Sequence, residues 1–241
     1  MWNLLNRTYS SRLIPFVSTP AQAEVMAEAL EVAGAELVVW PLPASREAFE
    51  QASGWLAVLR AAAIDILPAA IGCRTASEAI AAAEHARTWL DANWIHLAIT
   101  AEETNRQTDL PATLEAAAEL TRRKFEVLAS TSDDLIAARK LVDAGCIALM
   151  PRGRGIVSGA SMAGPRDEHP LRLRYPDLPL IADRGIQRPS EAALALERGL
   201  DAVIVEHAIE NAPDPISAAE AFADAVIAGH LWHESGSALK Y

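Results

Sequence analysis

A (β/α)8 barrel, the TIM-barrel form of the α/β class, is the fold that this sequence predicts, as a single domain of 241 residues. Short apolar runs alternate with longer alanine-rich stretches of helical character, which is typical of a parallel sheet covered by helices. Eight predicted strands in a chain of this length fit a closed barrel. An open doubly wound sheet uses the same local units and is the alternative fold.

The predicted elements follow one another along the whole chain. The predicted strands are Leu13–Val17, Glu36–Trp40, Asp65–Ala69, Trp94–Ile99, Phe125–Ala129, Cys146–Met150, Leu180–Ala182 and Ala202–Val205. The predicted helices after the first one are Arg46–Ala62, Ala76–Leu90, Leu114–Lys124, Asp133–Ala144, Ser190–Arg198 and Pro215–Ala228.

Helix ends carry recognisable signals. Thr19 suits the N-cap of the first helix and Pro20 its first turn. Gly34, Gly145 and Gly199 each follow a helix and precede an apolar strand, where glycine provides the left-handed end of the helix. This recurring order of helix end, glycine and strand is an internal repeat that supports the barrel.

Two segments stand apart from the repeating units. Residues 1–10 form an N-terminal extension, and residues 152–179 are the longest stretch without a helix or strand pattern. Five Gly and Pro residues lie between Arg152 and Pro165. We expect this second segment to be an irregular loop over the barrel mouth, and we see no linker that divides the chain.

Composition excludes several classes of function. The formal net charge is −11, which disfavours nucleic acid and anionic membrane surfaces because phosphate contacts need clustered Lys and Arg. No apolar run approaches the roughly 20 residues of a membrane span, and the first residues lack the pattern of a signal peptide. Two cysteines are too few for a disulfide framework or a cysteine zinc site. We therefore expect a cytoplasmic protein.

In such barrels the active site lies where the strands end, at the mouth. Side chains alternate faces along a strand, so Ile95, Leu97 and Ile99 share the helix-facing side and His96 points inward. Asp183 ends the seventh predicted strand, and a carboxylate buried there requires a partner. We predict His96 and Asp183 as catalytic residues. The alternatives are a hydrogen-bonded core histidine and an aspartate that caps a loop.

Other strand ends supply candidate binding residues. They are Ser130, Thr131, Gly153, Arg184, Glu206 and His207. Nothing among them fixes a ligand count, so we predict no metal and no cofactor. Cys73 precedes a helix, where a thiolate is favoured, but no base is placed beside it by the sequence and a packed thiol is the preferred interpretation.

Several collinear segments resemble the bacterial thiazole synthase (ThiG) family. The segments, which extend from about Ser11 to Gly229, include 70–79 (AIGCRTASEA), 132–134 (SDD), 143–146 (DAGC), 182–186 (ADRGI), 188–192 (RPSEA), 199–203 (GLDAV) and 214–215 (DP). The resemblance implies a barrel that builds the thiazole phosphate of thiamin. It implies the substrates 1-deoxy-D-xylulose 5-phosphate and dehydroglycine, with sulfur from the thiocarboxylate of a ThiS-like carrier. It also implies a homo-oligomer.

The sequence departs from the family pattern at the mouth. Where the family has Trp-Val-Lys-Leu-Glu on the fourth strand, this chain reads WIHLA, so His96 replaces the Schiff-base lysine and Ala98 the glutamate. Asp183 keeps its chemistry. Imidazole lacks the second N–H needed for a neutral imine, so His96 cannot replace the lysine in that step. The three lysines, Lys124, Lys140 and Lys240, are not placed to substitute.

The phosphate site implied by the resemblance also differs. The family's Gly-Ile-Gly reads Gly185-Ile186-Gln187 here, and its Asn-Thr reads Glu206-His207. A carboxylate beside a dianionic phosphate is unfavourable unless Arg184, Arg188 or His207 offsets it. We take Gly185 and Gln187 as further candidate substrate-binding residues.

Three functions agree with this pattern. The first is a thiazole-synthase-like, sulfur-incorporating enzyme with altered substrate or mechanism, in which His96 is the acid or base and a phosphorylated sugar and a ThiS-like carrier are the partners. The second is a non-catalytic homologue that binds a sulfur carrier or regulates an active thiazole synthase. The third is an ordinary thiamin thiazole synthase with a different mechanism.

Overall fold

The computed structural model describes residues 1–18, 22–100, 107–152 and 168–236. Its strands are β1 (Trp2–Leu4), β2 (Arg7–Tyr9), β3 (Leu13–Pro15), β4 (Leu37–Pro41), β5 (Asp65–Ile71), β6 (Trp94–Ala98), β7 (Glu126–Thr131), β8 (Ala148–Pro151), β9 (Ile181–Ala182) and β10 (Ala202–Val205). Its helices are α1 (Ala23–Val32), α2 (Arg46–Gln51), α3 (Ser53–Ala61), α4 (Ala76–Leu90), α5 (Leu110–Arg122), α6 (Leu135–Asp143), α7 (Pro170–Arg174), α8 (Pro189–Glu197), α9 (His207–Glu210) and α10 (Pro215–Glu234).

The eight strands β3 to β10 are parallel neighbours around a ring. Strands β4 to β8 pair in sequence order, and β10 pairs with both β9 and β3. Phe16 bridges to Val39 between β3 and β4, and Leu149 bridges to Leu180 between β8 and β9. These bridges join the two sheets on both sides. The predicted α/β barrel fold is therefore confirmed.

Several element boundaries differ from the sequence expectation. The predicted helix Arg46–Ala62 is two helices that meet at Ala52. Helix α5 begins earlier than predicted because Asp109 caps it, accepting a hydrogen bond from Ala112 N at 3.0 Å. The segment 152–179 is not irregular throughout, since its described part contains α7.

The predicted helix signals have mixed outcomes. Gly34, Gly145 and Gly199 have φ angles of 58°, 91° and 84°, so all three take the left-handed conformation that their position predicts. Thr19 and Pro20 lie outside the described residues, and α1 begins at Ala23. No helix in the described ranges is both long and apolar enough to cross a membrane.

The N-terminal extension forms an antiparallel hairpin that closes one end of the barrel. Trp2, Leu4, Leu5 and Tyr9 are buried in one cluster with inward-facing side chains of the barrel strands, such as Leu67. The barrel strands begin at this end, so their C-terminal ends lie at the opposite end of the barrel, which is the mouth.

The strand side chains divide between two apolar clusters. Inward positions such as Ile14, Val39, Leu128 and Ile204 pack with the hairpin, whereas outward positions such as Ile95 pack against the helices. Successive side chains of a strand point to opposite faces of the sheet, so in a closed barrel they point alternately inward and toward the helices. It determines which polar side chains of the strand ends lie inside the barrel.

Candidate active site

His96 lies inside the barrel on β6. Its neighbours in register are Ala69 of β5 and Leu128 of β7, both inward residues. Ile95, Leu97 and Ile99, which alternate with it, belong to the cluster packed against the helices. The His96 side chain is only 1% exposed. An imidazole in this position is a buried polar group that needs hydrogen-bond partners.

Ser130 and Asp183 supply those partners from neighbouring strands. The Ser130 hydroxyl at the end of β7 donates to Asp183 Oδ2 at 2.6 Å. His96 Nε2 lies 2.9 Å from Ser130 Oγ and 3.5 Å from Asp183 Oδ2. The three side chains therefore form a buried chain in which Ser130 stands between the acid and the imidazole.

The charge of Asp183 determines which atoms of these three side chains carry the protons. Burial alone raises the pKa of Asp183, but the charge of His96 and hydrogen bonds from His96 and Ser130, with Arg184 nearby, bring the pKa below its ordinary value. An ionised carboxylate only accepts hydrogen bonds, so Ser130 donates to it and His96 Nε2–H donates to Ser130. In the neutral form of His96 with its proton on Nε2, the lone pair of the imidazole is on Nδ1.

His96 Nδ1 is the atom of the three side chains that remains without a partner. It is buried and has no hydrogen-bond partner in the part of the chain that the structure describes. Its lone pair can accept a proton, and the imidazolium that results faces the Asp183 carboxylate through Ser130. The arrangement supports general acid–base chemistry at a neutral working pH, for which a histidine is suited.

Arg184 connects the hydrogen-bonded group of His96, Ser130 and Asp183 to the end of β10. Arg184 and Gly185 have φ angles of 57° and 88°, and these two left-handed residues turn the backbone sharply after β9. Arg184 Nε lies 3.9 Å from Asp183 Oδ2 and 3.6 Å from Glu206 Oε1. One guanidinium therefore balances two carboxylates.

A cleft of about 320 Å³ opens beside Glu206, and that volume fits a small-molecule ligand. The residues that line it come from the loops after β9 and β10 and are Gly185, Ile186, Gln187, Glu206, His207, Ala208 and Asn211. At its edge, His207 Nδ1 lies 3.7 Å from Glu210 Oε2, and Ser18 Oγ donates to Glu210 Oε1 at 2.8 Å.

Two backbone amides of the loop after β9 are hydrogen-bonded to a glutamate of the helix that follows. The carboxylate of Glu191 in the first turn of α8 accepts from Gln187 N at 2.7 Å and from Arg188 N at 3.0 Å. Such a carboxylate satisfies amide groups that a helix N-terminus otherwise offers to an anion.

The candidate residues that were predicted from the sequence fall into separate groups in the structure. His96, Ser130 and Asp183 form the buried chain, with Arg184 next to it. Gly185, Gln187, Glu206 and His207 line the cleft. Thr131 lies on the same face of β7 as Val127 and Ala129, which pack toward the helices, so its side chain is not part of either set. Gly153 lies outside the described residues.

Sequence reasoning missed three residues of this region. Asn211 lines the cleft, Glu210 contacts Ser18 and His207, and Glu191 caps the loop amides. Their signal in the sequence is position, since Glu210 and Asn211 follow Glu206 by one helical turn. Short helix α9 brings them back to the end of β10, which the strand pattern alone does not predict.

Two other chemistries receive no support from the geometry. Burial, followed by the charge of Glu78, raises the pKa of the Cys73 thiol to about 11, so Cys73 is not a ready nucleophile at neutral pH. Within the described ranges, no three His, Cys, Asp or Glu side chains are grouped as metal ligands.

Comparison with known proteins connects this site to a family. A family model described as thiazole biosynthesis protein ThiG matches residues 3–240. The thiazole synthases of Brucella canis and Brucella melitensis biotype 1 are each 37% identical over 237 residues, which are 98% of this chain and 92% of each relative.

Solved structures agree with the fold. The chain matches the crystal structure of the Amycolatopsis orientalis BexX/CysO complex with a TM-score of 0.79 and 26% identity, over 98% of this chain and 96% of that one. Orotidine 5'-monophosphate decarboxylase from Sulfolobus solfataricus matches with a TM-score of 0.61 and 13% identity, covering 91% of this chain and 99% of that one, which shows the fold alone. The extent of the family match and the identity to the Brucella enzymes show that this chain belongs to the thiazole synthase (ThiG) family.

Proposed function

We propose that this chain is a sulfur-incorporating biosynthetic enzyme of the ThiG family that uses acid–base catalysis by His96 in place of Schiff-base catalysis. The observation that carries the proposal is the buried chain from Asp183 through Ser130 to His96, which leaves Nδ1 as a base inside the barrel. A histidine retained only for packing has no need of an ionised carboxylate two hydrogen bonds away.

The lysines support the same conclusion. Lys124 lies two residues before Glu126, the first residue of β7, at the end of the barrel opposite the mouth, and Lys140 is exposed on α6. Lys240 lies outside the described residues. A Schiff base requires a primary amine beside the substrate ketone, so neither described lysine suits that step.

The proposed substrate is a ketose, because a ketone makes the neighbouring C–H bond acidic enough for a histidine base. His96 Nδ1 takes a proton from the carbon beside the ketone, and the electron pair moves to the ketone oxygen as an enolate. The imidazolium returns its proton to that oxygen, so enzyme and proton count are restored. Asp183 and Ser130 hold the imidazole in the tautomer that this exchange requires.

Sulfur enters from the thiocarboxylate C-terminus of a carrier protein. The enol then returns to a ketone, and the thiocarboxylate sulfur adds to the ketone carbon to give an alkoxide. The alkoxide takes the acyl group of the carrier from the sulfur, and the carrier leaves with that oxygen as a carboxylate, so that a C=S bond replaces the C=O bond. Every atom is accounted for by this exchange of one oxygen for one sulfur. Support comes from the BexX/CysO complex, a structural relative solved with its partner CysO.

The test combines turnover with trapping. The protein is incubated with a thiocarboxylated carrier and 1-deoxy-D-xylulose 5-phosphate or its unphosphorylated form, and sulfur transfer is followed by mass spectrometry. We expect His96→Gln to lower the rate about 10²- to 10⁴-fold, the usual contribution of a general base. His85→Gln is the control, because His85 stacks on Trp89 on helix α4, away from the mouth.

Borohydride trapping separates the mechanisms. Wild-type protein is expected to give no reduced covalent adduct with either ketose, whereas His96→Lys, which restores an amine at this position, is expected to give one. An adduct on the wild-type protein, or full activity in His96→Gln, would contradict the proposal. Transfer of no sulfur by the wild type, with stable binding of the carrier, would favour the non-catalytic homologue.

We propose that residues 1–241 fold as one domain, tested by a single unfolding transition, and that the chain forms a homo-oligomer. Ile227, Leu231 and Trp232 are 57%, 62% and 49% exposed on α10 and give such an assembly an apolar contact. Light scattering of the wild type and of Leu231→Glu tests this, with a change of mass expected in the variant.

A further inference from the structure

We propose that His207 is a second acid–base residue of this site and that Glu210 and Ser18 are its positioning residues. The inference rests on the proposed function, because it assigns a residue to a step that enolisation by His96 leaves open. The three residues lie at the ends of β3 and β10 and take no part in the buried chain from Asp183 to His96.

The imidazole of His207 is held on two sides. Its ring meets the buried ring of Phe16 edge-on, with centroids 5.7 Å apart and an angle of 73° between the planes. Phe16 is fixed to the barrel wall, since its backbone N–H donates to Val205 O at 2.8 Å. On the other side, His207 Nδ1 lies 3.7 Å from Glu210 Oε2, which is an ion-pair distance. These contacts leave Nε2 as the ring nitrogen that can meet a ligand.

Glu210 is held in turn from a second element. Ser18, which follows β3, donates from its Oγ to Glu210 Oε1 at 2.8 Å, so that Oε2 is the oxygen directed to His207. The Glu210 side chain is only 20% exposed. A carboxylate beside Nδ1 favours the neutral tautomer that carries its proton there, and the lone pair is then on Nε2. This is the opposite tautomer from that of His96.

His207 and His96 lie on opposite sides of the barrel mouth. His96 is on β6 and His207 follows β10, and these strands are separated by β7, β8 and β9 on one side of the ring and by β3, β4 and β5 on the other. His207 lines the cleft of about 320 Å³, and its side chain is 54% exposed. A substrate that enters the mouth can therefore be reached by one imidazole from each side.

His207 is the side chain of the cleft that suits proton transfer. Glu206 Oε1 lies 3.6 Å from Arg184 Nε, and a carboxylate paired with a guanidinium is held ionised and only accepts hydrogen bonds. The amides of Gln187 and Asn211, which also line the cleft, do not titrate. A histidine both takes and gives a proton near neutral pH.

The step left open is the return of the enol to a ketone. A ketose carries a hydroxyl on the carbon beside its ketone, so the enol that His96 forms has a hydroxyl on each of two carbons. His207 Nε2 takes the proton of the second hydroxyl, and the electron pair left on that oxygen forms a C=O bond. The electron pair of the C=C bond takes the proton back from the imidazolium at the other carbon. One proton has moved from oxygen to carbon, and His207 is restored.

The first experiment reads the tautomers of the histidines by ¹⁵N NMR of the whole protein above about pH 8, where neutral imidazole dominates. We expect His207 with its proton on Nδ1 and His96 with its proton on Nε2. Glu210→Gln is expected to move His207 toward the Nε2–H tautomer and to leave His96 unchanged. Glu220→Gln, the same charge change at an exposed position of α10, is expected to match the wild type. A wild-type His207 protonated on Nε2, or one that Glu210→Gln does not change, would overturn the role of Glu210.

The second experiment separates the two histidines by the proton that each one moves. The protein is incubated with 1-deoxy-D-xylulose 5-phosphate in D2O, and deuterium at the hydroxyl-bearing carbon beside the ketone is followed by NMR. Sulfur transfer from the thiocarboxylated carrier is measured in parallel. We expect His207→Gln to lower sulfur transfer about 10²-fold and deuterium exchange by less than about threefold, because His96 still forms the enol. His85→Gln on α4 is the control.

The outcomes distinguish failure of this inference from failure of the proposed function. If His96→Gln abolishes exchange and transfer while His207→Gln changes neither, or lowers both equally, His207 is not the second acid–base residue and the proposed function stands. If His96→Gln keeps full exchange and transfer, the proposed function fails and this inference fails with it. Loss of sulfur transfer alone in His207→Gln, with both reactions lost in His96→Gln, supports the two roles together.

Discussion

At the N-terminal end of the barrel, the polar groups of the hairpin are paired, whereas at the mouth several buried ones are not. Trp2 Nε1 donates to Ser11 O at 2.8 Å, Tyr9 OH donates to Asp65 Oδ2 at 2.8 Å, and Glu36 accepts from the backbone of residues 10 and 11. By contrast, His96 Nδ1, Thr131 Oγ1 and Arg184 Nε have no hydrogen-bond partner among the described residues.

The contrast between the hairpin and the mouth leads us to expect different effects of substitution at the two ends. A buried polar atom without a partner lowers stability, so its removal can leave stability unchanged or raise it, whereas removal of a paired group lowers stability. Substitutions at the closed end should therefore change stability, and substitutions at the mouth should change binding and catalysis more than stability.

The largest expected effect comes from the hairpin. Trp2→Ala removes a side chain that is 6% exposed and leaves a cavity beneath the strands. We expect the free energy of unfolding to fall by about 3–5 kcal/mol in urea denaturation. Ile136→Ala, at a position 61% exposed on α6, is the control and should change stability by less than about 1 kcal/mol. Equal effects would mean that the hairpin does not close the core.

The next effect concerns helix packing near the closed end. A Cβ atom added to Gly229 of α10 would lie 2.2 Å from the carbonyl oxygen of Ala193 on α8. We expect Gly229→Ala to lower stability by about 1–3 kcal/mol through overpacking. In the open position Gly54 of α3, the same change should raise stability by about 0.5–1 kcal/mol. Thermal melts of both variants measure the difference, and stabilisation in both would refute the close contact.

A pair of deletions of single hydroxyl groups compares the two ends directly. Tyr9→Phe removes the hydrogen bond to Asp65 and should lower the free energy of unfolding by about 0.5–1.5 kcal/mol. Thr131→Val removes a buried hydroxyl without a partner among the described residues and should leave stability unchanged or raise it by up to about 1 kcal/mol. Chemical denaturation compares them, and a larger loss in Thr131→Val would reverse our view of the two ends.

The smallest effect is a pH dependence at the closed end. Arg12 Nη2 lies 3.1 Å from His230 Nε2, and the pKa of His230 is lowered, first by burial and then by the charge of Arg12. Because the folded pKa lies below the unfolded one, the unfolded chain binds the proton first as the pH falls. The stability contribution is therefore complete above about pH 6.5 and decreases below it.

Replacement of His230 tests that sign. Denaturation of the wild type and of His230→Gln is followed from about pH 7.5 to 5.5, where we expect the variant to lose less stability on acidification, by less than about 1 kcal/mol. His85→Gln, a histidine on α4, serves as the control. A wild type that gains stability over this range relative to His230→Gln would be incompatible with the lowered pKa.

The local elements could be read from the chain because their signals are local. A strand has a short apolar run, and a helix ends where Gly145 or Gly199 takes a positive φ, which is a property of the residue itself. The inward direction expected for His96 followed from the two-residue period of β6. The resemblance of segments such as 182–186 to the ThiG family lies in the sequence alone.

Contacts between segments that are distant in sequence determined the features that the sequence did not predict. The hairpin of residues 1–10 is an extension in the sequence pattern, because nothing in it shows that Trp2 will be buried in one cluster with Leu67 of β5. Ser130 stands between His96 and Asp183 only because β7 and β9 bring their ends together, over sequence separations of 34 and 53 residues.

The sequence by itself determined the alternation of strands and helices, the family, and the replacement of the lysine by His96. Only the tertiary structure decided which ring nitrogen of His96 has no hydrogen-bond partner among the described residues. It also decided that Arg184 lies between the carboxylates of Asp183 and Glu206, and that Glu191 accepts hydrogen bonds from two backbone amides of the loop. The physical reason is that periodicity and propensity act within a few residues, whereas hydrogen-bond roles and charge balance depend on distances between strands that only closure of the barrel sets.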